Sequence, residues 1–447
     1  MKSRLAPALL ACLLLLPSMS MAAPALDAAT LQRISAIDAQ VVAWRRDIHA
    51  HPELGNRETR TAKLVADHLR RIGLEVQTGV AHTGVVGVLK GGRPGPVVLL
   101  RADMDGLPVT ETVDLPFASK VRTVYNGAEV GVMHACGHDT HVAILMGVAE
   151  VMAAMRQEIP GTVKFVFQPA EEGAPEGEEG GAEMMVAEGV LTKPDVDAAF
   201  GLHIDASLEV GHLGFTRGGI YASVDDFRIL VNGRQAHGAY PWTGADPVVA
   251  SAYIITALQT IVSREMKLID NASVVTIGKI TGGVRSNIIP AQVEMIGTLR
   301  ALTPEDRGQL HASVRRIVNN VAESLGTSAE IKIPMSSAYP VTFNNLALAD
   351  EMRPVLEAVA GADKVLTKPA VTGAEDFAFF AEKVPAMFIK LGGRPSHVKE
   401  SDAPGHHTPQ FSIDDSGLGL GVRALTAMAL HYMGTHATAT ATAAAAK

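Results

Sequence analysis

The chain predicts an α/β fold interrupted by an inserted ferredoxin-like module. Three observations carry that reading. Apolar strands alternate with helices through the first half and again near the end. Several of those strands run directly into polar residues, which places the polar residues at the carboxyl edge of a sheet, where open α/β sheets build their sites. Between them the order becomes β-α-β-β-α-β, which is ferredoxin-like.

Element by element, Leu31, Ile34, Ile37, Val41, Trp44 and Ile48 recur at helical spacing over residues 31–51, and the pattern ends before Pro52. A second helix covers 58–72 and stops at Gly73. Val97 to Leu100 is a buried strand entering Arg101-Ala-Asp103-Met-Asp105. Residues 140–155 form a helix with Asp139 as its N-cap. Val163 to Phe167 leads into Gln168-Pro-Ala-Glu171-Glu172, and Ala198 to Leu202 ends at His203. The pattern changes near residue 212. Phe227, Ile229 and Val231 alternate up to an Asn232-Gly233 turn, a helix covers 246–264, strands cover 273–281 and 291–300, Pro304 opens a helix to 325, and a strand covers 329–333. Helices return over 350–360 and 374–382, followed by a strand over 386–391 and a closing helix over 416–433. The expected domains are therefore 24–212 with 334–435, and 213–333 between them. The alanine- and threonine-rich residues 436–447 read as a disordered tail.

Residues 1–23 stand outside this core. Lys2 and Arg4, an apolar run from Leu5 to Leu16 and small residues at Ser20-Met21-Ala22 read as a secretory signal peptide, with a run too short to span a bilayer. Export, to the periplasm, is the expectation. The 39 basic residues less those two, set against 47 acidic ones, leave a formal charge of −10 and no basic stripe. That argues against nucleic acid or an anionic membrane as partner once the signal is removed. The mature chain then keeps one cysteine, Cys136, which excludes an internal disulfide.

The chemistry gathers around that cysteine. In His134-Ala-Cys136-Gly-His138-Asp139-Thr-His141 a thiolate and imidazoles sit within a glycine-broken turn. Thiolate, imidazole and carboxylate donors from separate strand ends are what a transition-metal site requires. Spacing alone does not choose among His134, His138 and His141, and a hydrogen-bonded role at a helix start is the ordinary reading for His134 and His141. Glu171 and Glu172 are adjacent and so point apart: one can bind metal while the other stays free as a base. Acidic pairs are usually solvated surface, but this one stands directly beyond an apolar strand. His203, and the loop histidines His406 and His407, complete the donors.

These motifs together resemble the metallo-amidohydrolases of the aminoacylase/carboxypeptidase family, in the branch of hippurate hydrolases, N-acyl-amino-acid amidohydrolases and indoleacetyl-amino-acid hydrolases. The resemblance rests on His49-Ala-His51-Pro-Glu-Leu-Gly, Arg101-Ala-Asp-Met-Asp-Gly-Leu-Pro, His134-Ala-Cys-Gly-His-Asp, Phe167-Gln-Pro-Ala-Glu-Glu-Gly, Gly201-Leu-His203, Asn287-Ile-Ile-Pro, Gly297-Thr-Leu-Arg300 and Gly373-Ala-Glu-Asp-Phe. It implies a metallopeptidase-type catalytic domain with a central mixed sheet flanked by helices, and an inserted lid and dimerisation domain. It implies two divalent ions, zinc or manganese with cobalt also fitting, held by Cys136, His138, Glu172, His203 and His407. His407 is preferred to His406 because His407-Thr-Pro409 matches the family's His-x-Pro. Glu171 is implied as general base, His237 as a catalytic and substrate-binding residue supplied across a homodimer, Asn287 and Arg300 as holders of the substrate carboxylate, and Asp105 and Asp139 as residues that orient ligands. Two departures stand out: Thr140 where glycine is usual, and Gly233-Arg-Gln-Ala-His237 in place of the commoner Gly-Lys-Gly-Gly-His.

The expected activity is cleavage of the amide bond of N-acyl or N-aroyl amino acids, with a carboxypeptidase acting on short peptides as the alternative. A metal-storage or solute-binding protein is the reading from another class, and a spare base beside the metal ligands speaks against it.

Overall fold

The computed structural model describes residues 26–269, 271–336 and 338–445, so the expected signal peptide lies outside the described residues. An eight-stranded mixed sheet forms the centre. Its strands lie in the order Glu75–Val80, Gly84–Lys90, Pro160–Gln168, Arg93–Asp103, Ala198–Glu209, Ala386–Arg394, Leu213–Phe215 and Val365–Thr367. The four in the middle are parallel neighbours, and antiparallel strands flank them. Such central strands are buried on both faces and read as continuous apolar runs, as Val97 to Leu100 does.

Three helices cover one face. In Ala28–Ala50 the residues at the predicted helical spacing, Ile34, Val41, Trp44 and Ile48, are buried, and Asp27 caps the helix by accepting from Thr30 N at 2.7 Å. His138–Ala154 is buried around almost its whole circumference, and Leu418–Ala445 packs against both. The opposite face is closed by Gly181–Ala187 and by Phe377, Phe380 and Phe388.

The inserted module is a separate four-stranded antiparallel sheet, ordered Ser273–Gly282, Gln292–Ala301, Asp225–Asn232, Ser328–Lys332, with the helices Pro247–Thr260 and Pro304–Ser324 on its apolar face. Asp246 and Thr303 cap those helices immediately before a proline at the first helical position. Phe227, Ile229 and Val231 fill a core distinct from that of the large sheet.

Several expectations are corrected. The inserted module begins at Asp225, not 213, because Leu213–Phe215 joins the large sheet and Gly218–Tyr221 pairs with Thr342–Asn344. Apolar patterning marks a strand without saying which sheet takes it. The N-cap of the His138 helix is Gly137, at φ 92°, not Asp139; a methyl group there would meet Ile204 Cγ2 at 2.3 Å, so both the turn and the packing demand glycine. Residues 374–382 are helical only over Ala378–Ala381. His203 lies within its strand, which continues to Glu209. The closing helix runs on to Ala445 through the tail expected to be disordered: repeated alanine is low in complexity and also the strongest helix former.

Candidate metal centre

Arg101, Val166 and Gly201 mark one level of the sheet, since Arg101 pairs with both of the others, and Asp103 and Gln168 pair two residues further on. Just beyond that level lie Asp105, Glu171, Glu172 and His203. His203 reaches the same edge from inside its strand because the neighbouring Ala386–Arg394 strand continues past the edge beside it.

Five side chains converge there. Cys136 Sγ lies 3.4 Å from His203 Nε2 and 3.3 Å from His407 Nε2, and Glu172 Oε1 lies 2.9 Å from His407 Nε2. His138 Nε2 stands 3.7 Å from Glu171 Oε2 and 4.0 Å from Glu172 Oε1. Ligand atoms of Cys136, His138 and His203 form one compact group, those of Cys136, Glu172 and His407 another, and those of His138, Glu171 and Glu172 a third, each within 4.8 Å. Cys136 belongs to two of them, which places its thiol between two candidate cation positions.

The partner of each second ring nitrogen sorts the histidines. His138 Nδ1 donates to Asp105 Oδ1 at 3.2 Å and His203 Nδ1 donates to Ile204 O at 2.6 Å, so each aims the Nε2 lone pair into the cluster. Among the described residues buried His138 Nε2 has no well-formed hydrogen bond, which leaves its lone pair available to a cation. His141 is committed at both nitrogens, accepting from Ile204 N at 2.8 Å and donating to Asp103 Oδ1 at 2.5 Å. His406 accepts from Ala206 N at 3.2 Å through Nε2 and donates to Cys136 O through Nδ1. His134 is buried outside the converging groups, and burial holds it down to about 4.

Backbone strain fixes the donors. His407 and Ala170, the residue before Glu171, sit at φ 63° and 50°, a region that L-residues enter at a cost of about 1 kcal/mol or more. His407 N is tied to Ala135 O at 2.9 Å, Ala170 N to Glu58 Oε1 at 2.8 Å, and Glu171 O accepts from the Tyr339 hydroxyl at 2.8 Å. Asp105 uses its second oxygen to accept from Glu172 N at 2.9 Å, so one carboxylate orients two cluster members.

The electrostatics favour a cation. Hydrogen bonds with Cys136 and Glu172 raise His407 to about 10. Burial first, then Glu375, Glu172 and Asp376, push the Glu171 carboxyl well above the usual range, against the pull of His138. The anionic surroundings that hold these protons will hold a metal ion in their place. Soft thiolate, imidazole and carboxylate together fit a divalent transition ion, and the carboxylate of Glu171 accepts no hydrogen bond from any described residue.

Other expected residues lie elsewhere. Asp139 contacts none of the five donors: it binds His49 Nδ1 and Arg45 Nε, both at 2.8 Å, and braces two helices. His237 and Asn287 are exposed neighbours in the inserted module, where Gly238 N donates to Asn287 O at 2.8 Å; Arg300 lies on the outer side of that sheet. Among the described residues, no hydrogen bond or ion pair joins these three to the cluster. Glu375 and Asp376 were readable as ligand-orienting residues or as the start of a helix, but sequence reasoning missed Arg101 as the hub that joins them beside the site. Arg101 binds Asp103, Gln168, Glu375 and Asp376, and Asp103 in turn orients His141. Its signal was present in the charged residues placed at the ends of apolar strands.

Residues 99–431 match the family model described as peptidase family M20/M25/M40. The chain belongs to that family. It is 40% identical over 400 residues to thermostable carboxypeptidase 2 of Saccharolobus solfataricus, covering 89% of this chain and 97% of that protein. It is 37% identical to an N-acetylcysteine deacetylase of Bacillus subtilis, covering 86% and 94%. A solved Bacillus subtilis structure, described as a dinuclear metal-binding peptidase of the M20 family, superposes with a TM-score of 0.74 at 33% identity, covering 90% of this chain and 99% of that one. The protein is a metal-dependent hydrolase of amide bonds with the M20 fold, a large mixed sheet flanked by helices. Among its described residues no helix is long and apolar enough to cross a membrane.

Proposed function

We propose that the protein cleaves the amide bond of N-acyl or N-aroyl amino acids, with Glu171 as general base. The supporting observation is the division between the adjacent carboxylates: Glu172 lies 2.9 Å from His407 within the donor cluster, whereas the carboxylate of Glu171, buried beside it, accepts no hydrogen bond from any described residue. Cys136, His138, Glu172, His203 and His407 would hold two divalent ions, with the thiolate favouring zinc and manganese or cobalt also fitting. When bound, such ions lower the pKa of a water to about 7 and polarise the amide carbonyl. Glu171 then takes the water's proton and passes it to the departing amine. Its buried, acid-surrounded carboxyl holds a proton more readily than an exposed one, as that shuttle requires.

A cleft of about 280 Å³ beside Glu172 sets Leu54, Leu107, Pro108, Val124 and Tyr125 among polar groups that include Arg57 and Asn126, and offers a partly apolar seat for the acyl group. The kinship to a deacetylase supports this reading, and the kinship to a carboxypeptidase keeps short peptides as the second one. His237 and Asn287, exposed and away from the cluster, fit a role across a homodimer, with Arg300 and Asn287 taking the substrate carboxylate. Export to the periplasm completes the proposal.

Turnover of N-acetyl-, N-benzoyl- and dipeptide substrates by zinc-, manganese- and cobalt-loaded protein tests it. Faster cleavage of N-acyl amino acids than of dipeptides upholds the first reading, and the reverse order transfers it to the second. Mixing inactive Glu171→Gln and inactive His237→Ala subunits should restore activity; no recovery, with exchange demonstrated, removes His237 from the site.

A further inference from the structure

On the His203 side of the cluster stand two lysines that form no direct ion pair among the described residues. Lys390 is the in-register neighbour of His203 on the adjacent parallel strand. Its ammonium donates to the Tyr221 hydroxyl and lies 4.2 Å from the centroid of that ring, which is 6.4 Å from the His203 ring. Lys368 packs beside it. A methyl group on Gly214 would meet Lys390 Cβ at 2.8 Å and Lys368 Cγ at 3.0 Å, so both stems lie on this one glycine. Among the described residues no carboxylate comes within 4.0 Å of either ammonium. Asp205, the acidic group that acts most on Lys390, commits Oδ1 to Ser207 and Leu208.

Two cations side by side, half-buried and without a direct ion pair among the described residues, cost stability through mutual repulsion and desolvation, which Asp205 offsets only from a distance. Tyr221 adds a donor to them. It accepts from Lys390, burial keeps it protonated, and its own O–H has no acceptor among the described residues. Two ammonium groups and a free phenol proton make a niche for an anion beside the candidate metal centre. The expected holders of the α-carboxylate, Asn287 and Arg300, belong to the inserted module, so this niche faces a different negative group.

We infer that Lys390, Lys368 and Tyr221 form a subsite for a second carboxylate, making the preferred substrate an N-acyl amino acid with a negative charge beyond its α-carboxylate. The inference rests on the amidohydrolase reading above. The charge can sit on the amino acid side chain or at the far end of the acyl group, and both present the same carboxylate chemistry.

The test compares kcat/KM for N-acetylglutamate against N-acetylglutamine, and for N-succinylleucine against N-acetylleucine, using the metal-loaded full chain. We expect at least one charged member to be preferred by about tenfold, the effect of one charge-assisted contact worth about 1.4 kcal/mol. Lys390→Met and Lys368→Met should each bring that ratio towards one, while Lys390→Arg retains most of it. Charged members no better than their neutral counterparts, or ratios unchanged in both methionine variants, overturn the subsite and leave the amidohydrolase reading intact. If nothing in the panel is cleaved, the amidohydrolase reading fails, and thermal stabilisation by glutarate judges the niche alone. Stabilisation that disappears in Lys390→Met upholds it, and no stabilisation of the parent protein overturns it.

Discussion

Two buried polar assemblies lie within a few ångströms of one another, and only one behaves as an unfinished site. Around Arg101 one guanidinium serves every neighbouring carboxylate, and Glu375 Oε2 is left without a partner among the described residues. The guanidinium reaches Asp103 at 2.6 Å and Gln168, Glu375 and Asp376 at 2.8 Å, while Ala182 N and Gln168 Nε2 supply further donors to Asp376. Around Cys136 imidazole, thiol and carboxylate atoms face each other, and buried His138 Nε2 has no well-formed hydrogen bond among the described residues. Buried charge by itself therefore identifies nothing. What marks the second assembly is that more acceptors converge than the few donors there, His407 Nε2 chief among them, can serve. The first assembly shapes the second: Asp103 takes the proton of His141, and Glu375 and Asp376 help raise Glu171.

The sharpest way to test this contrast is to remove the one carboxylate that the cluster leaves free. Glu171→Gln keeps size and shape, so metal content by elemental analysis should stay at the parent level while kcat falls by about 10³-fold or more, the range for a positioned base. Metal lost together with activity would make Glu171 a ligand and erase its distinction from Glu172. Next in size is the difference between the Arg101 network and the Cys136 cluster. Arg101→Met strips the counter-charge from three buried carboxylates and should cost about 3–5 kcal/mol in denaturant unfolding. Cys136→Ala in metal-free protein should change stability by no more than about 1 kcal/mol, yet abolish the rise in melting temperature on adding zinc. Equal losses in the two variants would erase the difference between the two assemblies.

The same contrast explains what the sequence could disclose. Cys136-Gly-His138 and Glu171-Glu172 were legible because their members are neighbours in the chain, and the second pair stands just past an apolar strand. The choice among histidines was not, because it depends on what the second ring nitrogen touches: His141 and His406 drop out through Ile204 N and Ala206 N, partners about 60 and 200 residues away. Motif resemblance supplied His203 and His407, which spacing alone could not. Asp139 was misplaced as cap and as ligand-orienting residue for a related reason. A polar residue at a helix start looks like a cap, but Gly137 is forced by contact with Ile204, and Arg45 and His49 claim the carboxylate. The start of the inserted module was misread because Leu213–Phe215 has the pattern of a strand wherever its partners lie. Nothing local announced Lys390 beside His203, since only the parallel register of two strands far apart in the chain brings them together.

The smallest predicted effect concerns the link between the scaffold and the base. Glu58 is fully buried and accepts from Ala170 N at 2.8 Å and from the Thr83 hydroxyl at 2.5 Å, so it holds the strained residue that precedes Glu171. Burial, and then the charge of Asp105, push its carboxyl up to about 8. Between its unfolded value near 4.5 and that folded value the native protein holds a proton that the unfolded chain has released. The stability this group contributes is thus complete below about 4.5 and lost as pH rises through about 8. Glu58→Gln retains an acceptor for Ala170 N and removes the titration. Its unfolding free energy should therefore fall less steeply than that of the parent across this window, by up to about 1.4 kcal/mol per pH unit, with kcat within a few-fold of the parent because Glu171 stays in place. An unchanged slope would mean that Glu58 is ionised in the folded protein, and that the acidic surroundings of the site extend one layer further than the Arg101 network allows.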